Sequence, residues 1–194
     1  LYAEDTNLVI FQESKVSRSL IDKDAIYSAE GGGTVTSSNL VIGAVQPFAG
    51  EFGISKNPES FASYGFRKYF TDKNKNSVLR LSMDGITEIS NYGMTDYFRD
   101  QFGVLDGIYG EGKAIGGFDI YTKQYVLSLQ QSKQTIVAPP AEPVVNPDRQ
   151  SINLSFDEKV LGFPSLFSYQ PDQILSVQSN YYTFKDNKLY KHYD

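Results

Sequence analysis

Residues 64–89, YGFRKYFTDKNKNSVLRLSMDGITEI, constrain the fold more than any other stretch of this chain. Tyr69-Phe70 and residues 78–81 are rich in side chains that favour a pleated sheet, and the polar turn 72–77 joins them. A second turn at Asp84-Gly85 leads into Ile86, Thr87, Glu88 and Ile89. Three short strands on two tight turns make a β-meander, and a meander of this size cannot bury its apolar faces alone. The rest of the chain must supply further sheets.

Hairpins of the same form recur. They are LVIFQESKVS from Leu8, KYFTDKNKNSVLRL from Lys68, FDIYTKQYVLSL from Phe118 and YYTFKDNKLYKHY from Tyr181. Each has an apolar strand, a turn built from Lys with Asn, Ser, Thr or Gln, and a return strand carrying Leu or Val. Their spacing of roughly 50 to 60 residues suits propeller blades with long loops. The expected fold class is therefore all-β: a β-propeller-like array of short antiparallel meanders with one short helix. Residues 1–194 are read as a single β-rich domain or a fragment of one. Without an initiating Met at Leu1, and ending at Asp194 directly after a strand-like segment, the chain is expected to be part of a longer one.

Between the hairpins the expectations are more local. Residues 7–12, 16–21, 25–28 and 40–45 read as separate strands, with Pro47 ending the last. Gly31, Gly32 and Gly33 and the Ser/Thr-rich residues after them read as a flexible loop. Residues 50–63 read as a structured connection in which Phe52, Ile54 and Phe61 close a core edge. In residues 92–103, Met94, Tyr97, Phe98 and Phe102 share one face at helical spacing, with Asn91 or Thr95 as cap and Gly103 as stop. Residues 138–147 hold four of the eight prolines and read as an extended surface connection. Residues 151–156 alternate, placing Ile152, Leu154 and Phe156 on one side. Phe163, Leu166, Phe167 and Tyr169 are expected in the core, and residues 174–177, 181–184 and 189–192 form three last strands.

Composition sets limits on function. There is no cysteine, hence no disulfide framework and no thiolate metal site, which fits synthesis in a reducing compartment. The longest apolar runs are far short of the roughly 20 residues a membrane helix needs, so no membrane-spanning segment is expected. A net charge of −5 opposes a phosphate-gripping surface, although a protein that merely encloses a nucleic acid can carry it.

Four features have the outline of chemistry. Residues 107–113, GIYGEGK, match the start of a phosphate-binding loop, but Ala114 stands where a magnesium-holding hydroxyl is needed, and a strand follows. A Gly-rich turn accounts for them better. Residues 72–77 resemble the opening of a calcium loop, yet Ser77 replaces the sixth-position glycine, Met83 the twelfth-position glutamate, and two lysines oppose a cation. A solvated hairpin turn is the simpler reading. His192 is the sole histidine, which excludes a three-histidine zinc site, and it reads as a partly exposed strand residue. Asp96, Asp100, Asp106, Asp157 and Glu158 offer carboxylates for glycoside hydrolysis, but no spacing selects a pair. No catalytic, cofactor-binding or metal-binding residue is assigned, no cofactor is expected, and the chain is not read as an enzyme.

Longer phrases carry a family resemblance. Residues 47–100, PFAGEFGISKNPESFASYGFRKYFTDKNKNSVLRLSMDGITEISNYGMTDYFRD, together with GGFDIYTKQYVLSLQ and residues 154–193, resemble the large tail "muzzle" proteins of crAss-like bacteriophages. The resemblance implies a virion structural protein at the distal end of a short tail. It would form a ring with copies of itself, beside other phage tail proteins, around a channel that passes DNA or ejected proteins without binding them specifically. It would be made in the host bacterial cytoplasm. The alternative is a β-propeller module that binds a glycan or protein on the host surface.

Overall fold

The computed structural model of the chain describes residues 1–4, 7–27, 33–106, 112–131, 134–135, 144–145 and 151–193, and of residues 22–27, 33–40, 134–135 and 144–145 the backbone alone. The described residues are mostly strand, with one α-helix, and divide into two compact units, Leu1–Ser55 and Lys56–Asp194.

The first unit holds β1 (Tyr2–Glu4), β2 (Asn7–Phe11), β3 (Val16–Tyr27), β4 (Gly33–Ile42) and β5 (Gln46–Pro47), paired antiparallel in the order β1, β2, β3, β4, with β5 also on β3. The expected break between residues 21 and 25 is absent. β3 instead runs on through a register shift between Ile21 and Lys23, its first half pairing with β2 and β5 and its second half with β4. The expected loop after the glycines is likewise corrected from Gly33 onward, because pairing along β3 overrides the weak strand preference of Gly and Ser; Gly31 and Gly32 lie outside the described residues. β4 stops at Ile42, short of Val45, and Pro47 sits in β5, a two-residue edge strand where its missing N–H costs no ladder bond. Val9, Val16 and Ile54 are buried here.

The second unit contains three larger meanders. β6 (Ala62–Tyr64), β7 (Arg67–Asp72), β8 (Ser77–Ser82) and β9 (Gly85–Glu88) form the first, adding one strand ahead of the three expected from residues 64–89. A 3-10 turn at Pro58–Ser60 precedes it and another at Ile89–Asn91 follows. The helix α1 (Thr95–Gly103) then buries Phe98 and Phe102, with Met94 and Tyr97 partly covered, as the periodicity predicts. Its N-cap is Met94, which makes no side-chain cap, and neither Asn91 nor Thr95 takes that role; Thr95 Oγ1 instead donates to Asn91 Oδ1 at 3.1 Å.

β10 (Lys113–Asp119), β11 (Gln124–Gln130), β14 (Ser151–Asp157) and β15 (Gly162–Phe167) form the second meander. Between β11 and β14 lies the small pair β12 (Gln134–Thr135) and β13 (Val144–Val145), so two residues of the proline-rich stretch do pair; the rest of it lies outside the described residues. β16 (Gln173–Val177), β17 (Asn180–Lys185) and β18 (Lys188–Lys191) form the third meander, close to the expected bounds. Each sheet is open.

Strands β10, β11 and β14 of the second meander are covered on both faces, and this decides their burial. Ala114, Phe118, Tyr125, Leu127, Leu129, Leu154 and Phe156 pack toward the first meander and α1, while Ile115 and Val126 pack toward Ile174 and Tyr181 of the third. Residues 114–119 and 125–130 are consequently all buried. Ile152, Leu154 and Phe156 share one side as expected, packed in the first apolar cluster, and Asn153 and Ser155 on the other side are buried as well. Leu166 is 75% exposed, not in the core. A register shift between Ser155 and Asp157 places Phe163 against the first apolar cluster and Phe167 against the second, although they are four residues apart on one strand.

Two serines complete the first meander. Thr71 and Val78 are cross-strand partners lying beyond the reach of β6 and β9. The Thr71 N–H donates to Ser60 Oγ and the Val78 N–H to Ser90 Oγ, both at 3.1 Å, so a hydroxyl from each 3-10 turn stands where a strand carbonyl would.

Candidate functional site

Two hairpin turns emerge at the same end of the first meander, because β7 and β8 are antiparallel neighbours with Lys68 opposite Leu81. One turn joins β6 to β7 through Gly65, at φ +55°, and the other joins β8 to β9 through Asp84-Gly85, with Gly85 at φ +101°. Glycine suits both positions, where a side chain would be strained. Between the turns lies a cleft of about 420 Å³ lined by Tyr64, Phe66, Arg67, Arg80, Ser82 and Asp84, with Gly65 and Met83 at its edge. Phe66 and Met83 stand at the turn tips, 72% and 87% exposed.

The cleft is held from beneath. Glu158, in the turn between β14 and β15, accepts from Arg80 Nη1 at 2.6 Å and from the Tyr69 hydroxyl at 2.7 Å. The Tyr69 hydroxyl is pushed above its ordinary range by burial and by that carboxylate. Arg67 comes no nearer to Glu158 than 3.7 Å, from Nε, and about half of its side chain is exposed. Tyr64 stacks on Phe118, ring centroids 4.2 Å apart and planes within 8°, which fixes the ring while the residue stays 42% exposed at the cleft. Arg80 Nε and Ser82 Oγ are buried without a hydrogen-bond partner.

A second, smaller cleft of about 300 Å³ lies beside the last strands, lined by Tyr169, Pro171, Thr183, Lys185, Tyr190 and His192. His192 Nε2 lies 2.8 Å from Thr183 Oγ1, and the Tyr169 and Tyr181 hydroxyls are 3.0 Å apart. Burial lowers the His192 pKa, with Asp119 opposing. Asp119 is buried and accepts from the Tyr193 hydroxyl and from the N–H groups of Tyr121 and Thr122.

The features singled out in the sequence fall mostly elsewhere. Of residues 107–113 only Gly112 and Lys113 are described, and Lys113 opens β10. Residues 72–77 form a hairpin turn, but not a plain solvated one: Asp72 and Ser77 are buried, Asp72 caps the 3-10 turn Lys73–Lys75, and Asn76 adopts φ +56°. Lys73 pairs with Asp106. Asp96 and Asp100 both pair with Arg99 on the exposed face of α1. Asp157 accepts from Gln124 and from the Lys159 N–H, and these bonds hold its pKa below the usual carboxylate range. Of the five acids, only Glu158 belongs to the cleft. Among the described residues no group of three or more His, Asp or Glu side chains could hold a metal ion, and no helix is long and apolar enough to cross a membrane.

Tyr64, Phe66, Arg67, Arg80, Ser82 and Asp84 were not singled out by sequence reasoning. The one signal was the pair of turns itself, each carrying an apolar residue at its tip. Compared with models of known protein families and with curated proteins, the chain matches none.

Proposed function

We propose that this chain is a structural component of a bacteriophage short tail, part of the distal ring or channel through which genome and cargo proteins leave the particle. The carrying observation is the stack of consecutive meanders in the second unit, in which β10 packs against both neighbours and the strands β10 and β11 of the middle sheet are buried on both faces. Sheets stacked in chain order, first strand beside first strand, are the arrangement of propeller blades, and we read them as a propeller-like array. Such a stack resists bending, because the middle sheet is clamped between the other two. The long phrases resembling tail muzzle proteins point the same way.

In this reading the chain assembles with copies of itself in a ring and with other tail proteins, and resides in the virion tail after synthesis in the host cytoplasm. Its role is architectural, and its acidic charge limits sticking of DNA during ejection. Immunogold imaging of phage particles with antibody against this chain tests the proposal. Label at the tail tip is expected; label confined to the capsid shell would sink it. A second reading, a module binding a host-surface glycan or protein, is favoured by the cleft between the two turns of the first meander.

A further inference from the structure

We infer that the cleft between the β6–β7 and β8–β9 turns is a binding site for an acidic sugar, a pyranose carrying one carboxylate. The inference rests on the binding-module reading and gives it a ligand class; the architectural reading does not depend on it.

Size comes first. At about 420 Å³ the cleft falls within the roughly 300–1,000 Å³ of small-ligand sites. A sugar ring needs a flat platform for its C–H face, and Tyr64 provides one already immobilised against Phe118, so little side-chain freedom is lost on binding. Phe66 flanks it from the tip of the same turn.

Charge then selects within the sugars. Arg67 and Arg80 line the cleft with Asp84, and Glu158 lies beneath. Arg80 is already engaged by Glu158 at 2.6 Å, whereas the Arg67 guanidinium makes only a long ion pair to the same carboxylate, at 3.7 Å, and has half of its side chain in solvent. One guanidinium therefore remains to take one carboxylate, in the forked geometry that suits it. A phosphate dianion would add a second negative charge beside Asp84 and Glu158, which disfavours it. Asp84, which has no hydrogen bond or ion pair among the described residues, accepts from sugar hydroxyls. Ser82 Oγ and Arg80 Nε are buried polar atoms at the cleft without a partner, the condition that a bound polar ligand or its ordered water relieves.

The test is a titration of the isotope-labelled chain, followed by amide NMR shifts, with glucuronate as probe and glucose, acetate and inorganic phosphate as comparators. Saturable shifts at Gly65, Phe66, Arg67 and Met83 are expected with glucuronate, with each comparator at least about tenfold weaker. Arg67→Gln, at a half-exposed position that leaves the fold intact, is expected to weaken glucuronate about tenfold, and Asp84→Asn to weaken it while leaving acetate unchanged. Equal binding of glucose, or acetate or phosphate as tight as glucuronate, overturns the inference, as does glucuronate binding that Arg67→Gln leaves intact. A screen of the same protein on a glycan and peptide array separates the two levels. Saturable binding there that survives both substitutions overturns the acidic-sugar site and keeps the binding module, whereas no binding on the array and no shifts up to about 10 mM glucuronate overturn both.

Discussion

Gly116 and Gly117 act on opposite faces of β10. A Cβ at Gly116 would overlap the backbone carbonyl of Ser60, the oxygen that also accepts from the buried Tyr125 hydroxyl at 2.6 Å, and one at Gly117 would overlap the Ile174 side chain. Backbone cannot rotate aside as a side chain can. Gly116→Ala is therefore expected to lower stability by roughly 1–3 kcal/mol or more, and Gly117→Ala by less, as denaturant unfolding would read. His192 makes a different residue-scale prediction. Its folded pKa lies below the ordinary 6.5, with Thr183, Tyr169, Tyr181 and Tyr193 around it and Asp119 the nearby charge. The unfolded chain thus binds the proton more readily, so this contribution to stability is complete above about pH 6.5 and declines as pH falls through that value. Thermal melts of the wild type and His192→Gln are expected to diverge between about pH 7 and 5, the wild type losing more on acidification.

At the scale of the element, the first meander depends on groups outside its strands. Ser60 and Ser90 are fully buried, and each satisfies a strand N–H that has no strand to pair with. Ser90→Ala leaves the Val78 N–H buried and unpaired, and is expected to cost about 1–3 kcal/mol in a chemical melt with little change in far-UV circular dichroism. Ser60→Ala should behave alike and lose its bond to the Asn57 carbonyl as well. The third meander relies on turn chemistry instead. Asp186 and Asn187 sit at φ +49° and +61°, the pair of left-handed residues that a two-residue hairpin turn demands, and Asp-Asn tolerates it. In this respect residues 185–188 behave as their sequence predicts.

On the scale of the whole molecule, charge and stacking lead to distinct expectations. With 23 acidic against 18 basic side chains, the chain is expected to show no retention of duplex DNA in a filter-binding assay at about 0.15 M salt. Binding there would contradict a channel wall that DNA passes without gripping. Stacking bears on the order of opening: amides of β10 and β11, strands covered on both faces, are expected to exchange hydrogen last, and those of the exposed edge strand β18 among the first.

The amino-acid sequence alone determined the kind of element and most of the turns. The strand-favouring runs at Tyr69-Phe70 and residues 78–81, the Asp84-Gly85 turn, the hairpin at residues 72–77 and the helical spacing of Phe98 and Phe102 act over windows of a few residues, and these elements form as expected. Tertiary structure decided what depends on partners distant in the chain. Pairing with β3 made a strand of the Gly/Ser-rich residues from Gly33, and coverage from both sides buried the polar Asn153 and Ser155 along with the apolar side of residues 151–156. The cleft required two turns brought to one end of a sheet and Glu158 reaching from the neighbouring one, 78 residues along the chain from Arg80. Local preference cannot encode such a meeting, since the free energy that fixes it comes from burial shared between sheets.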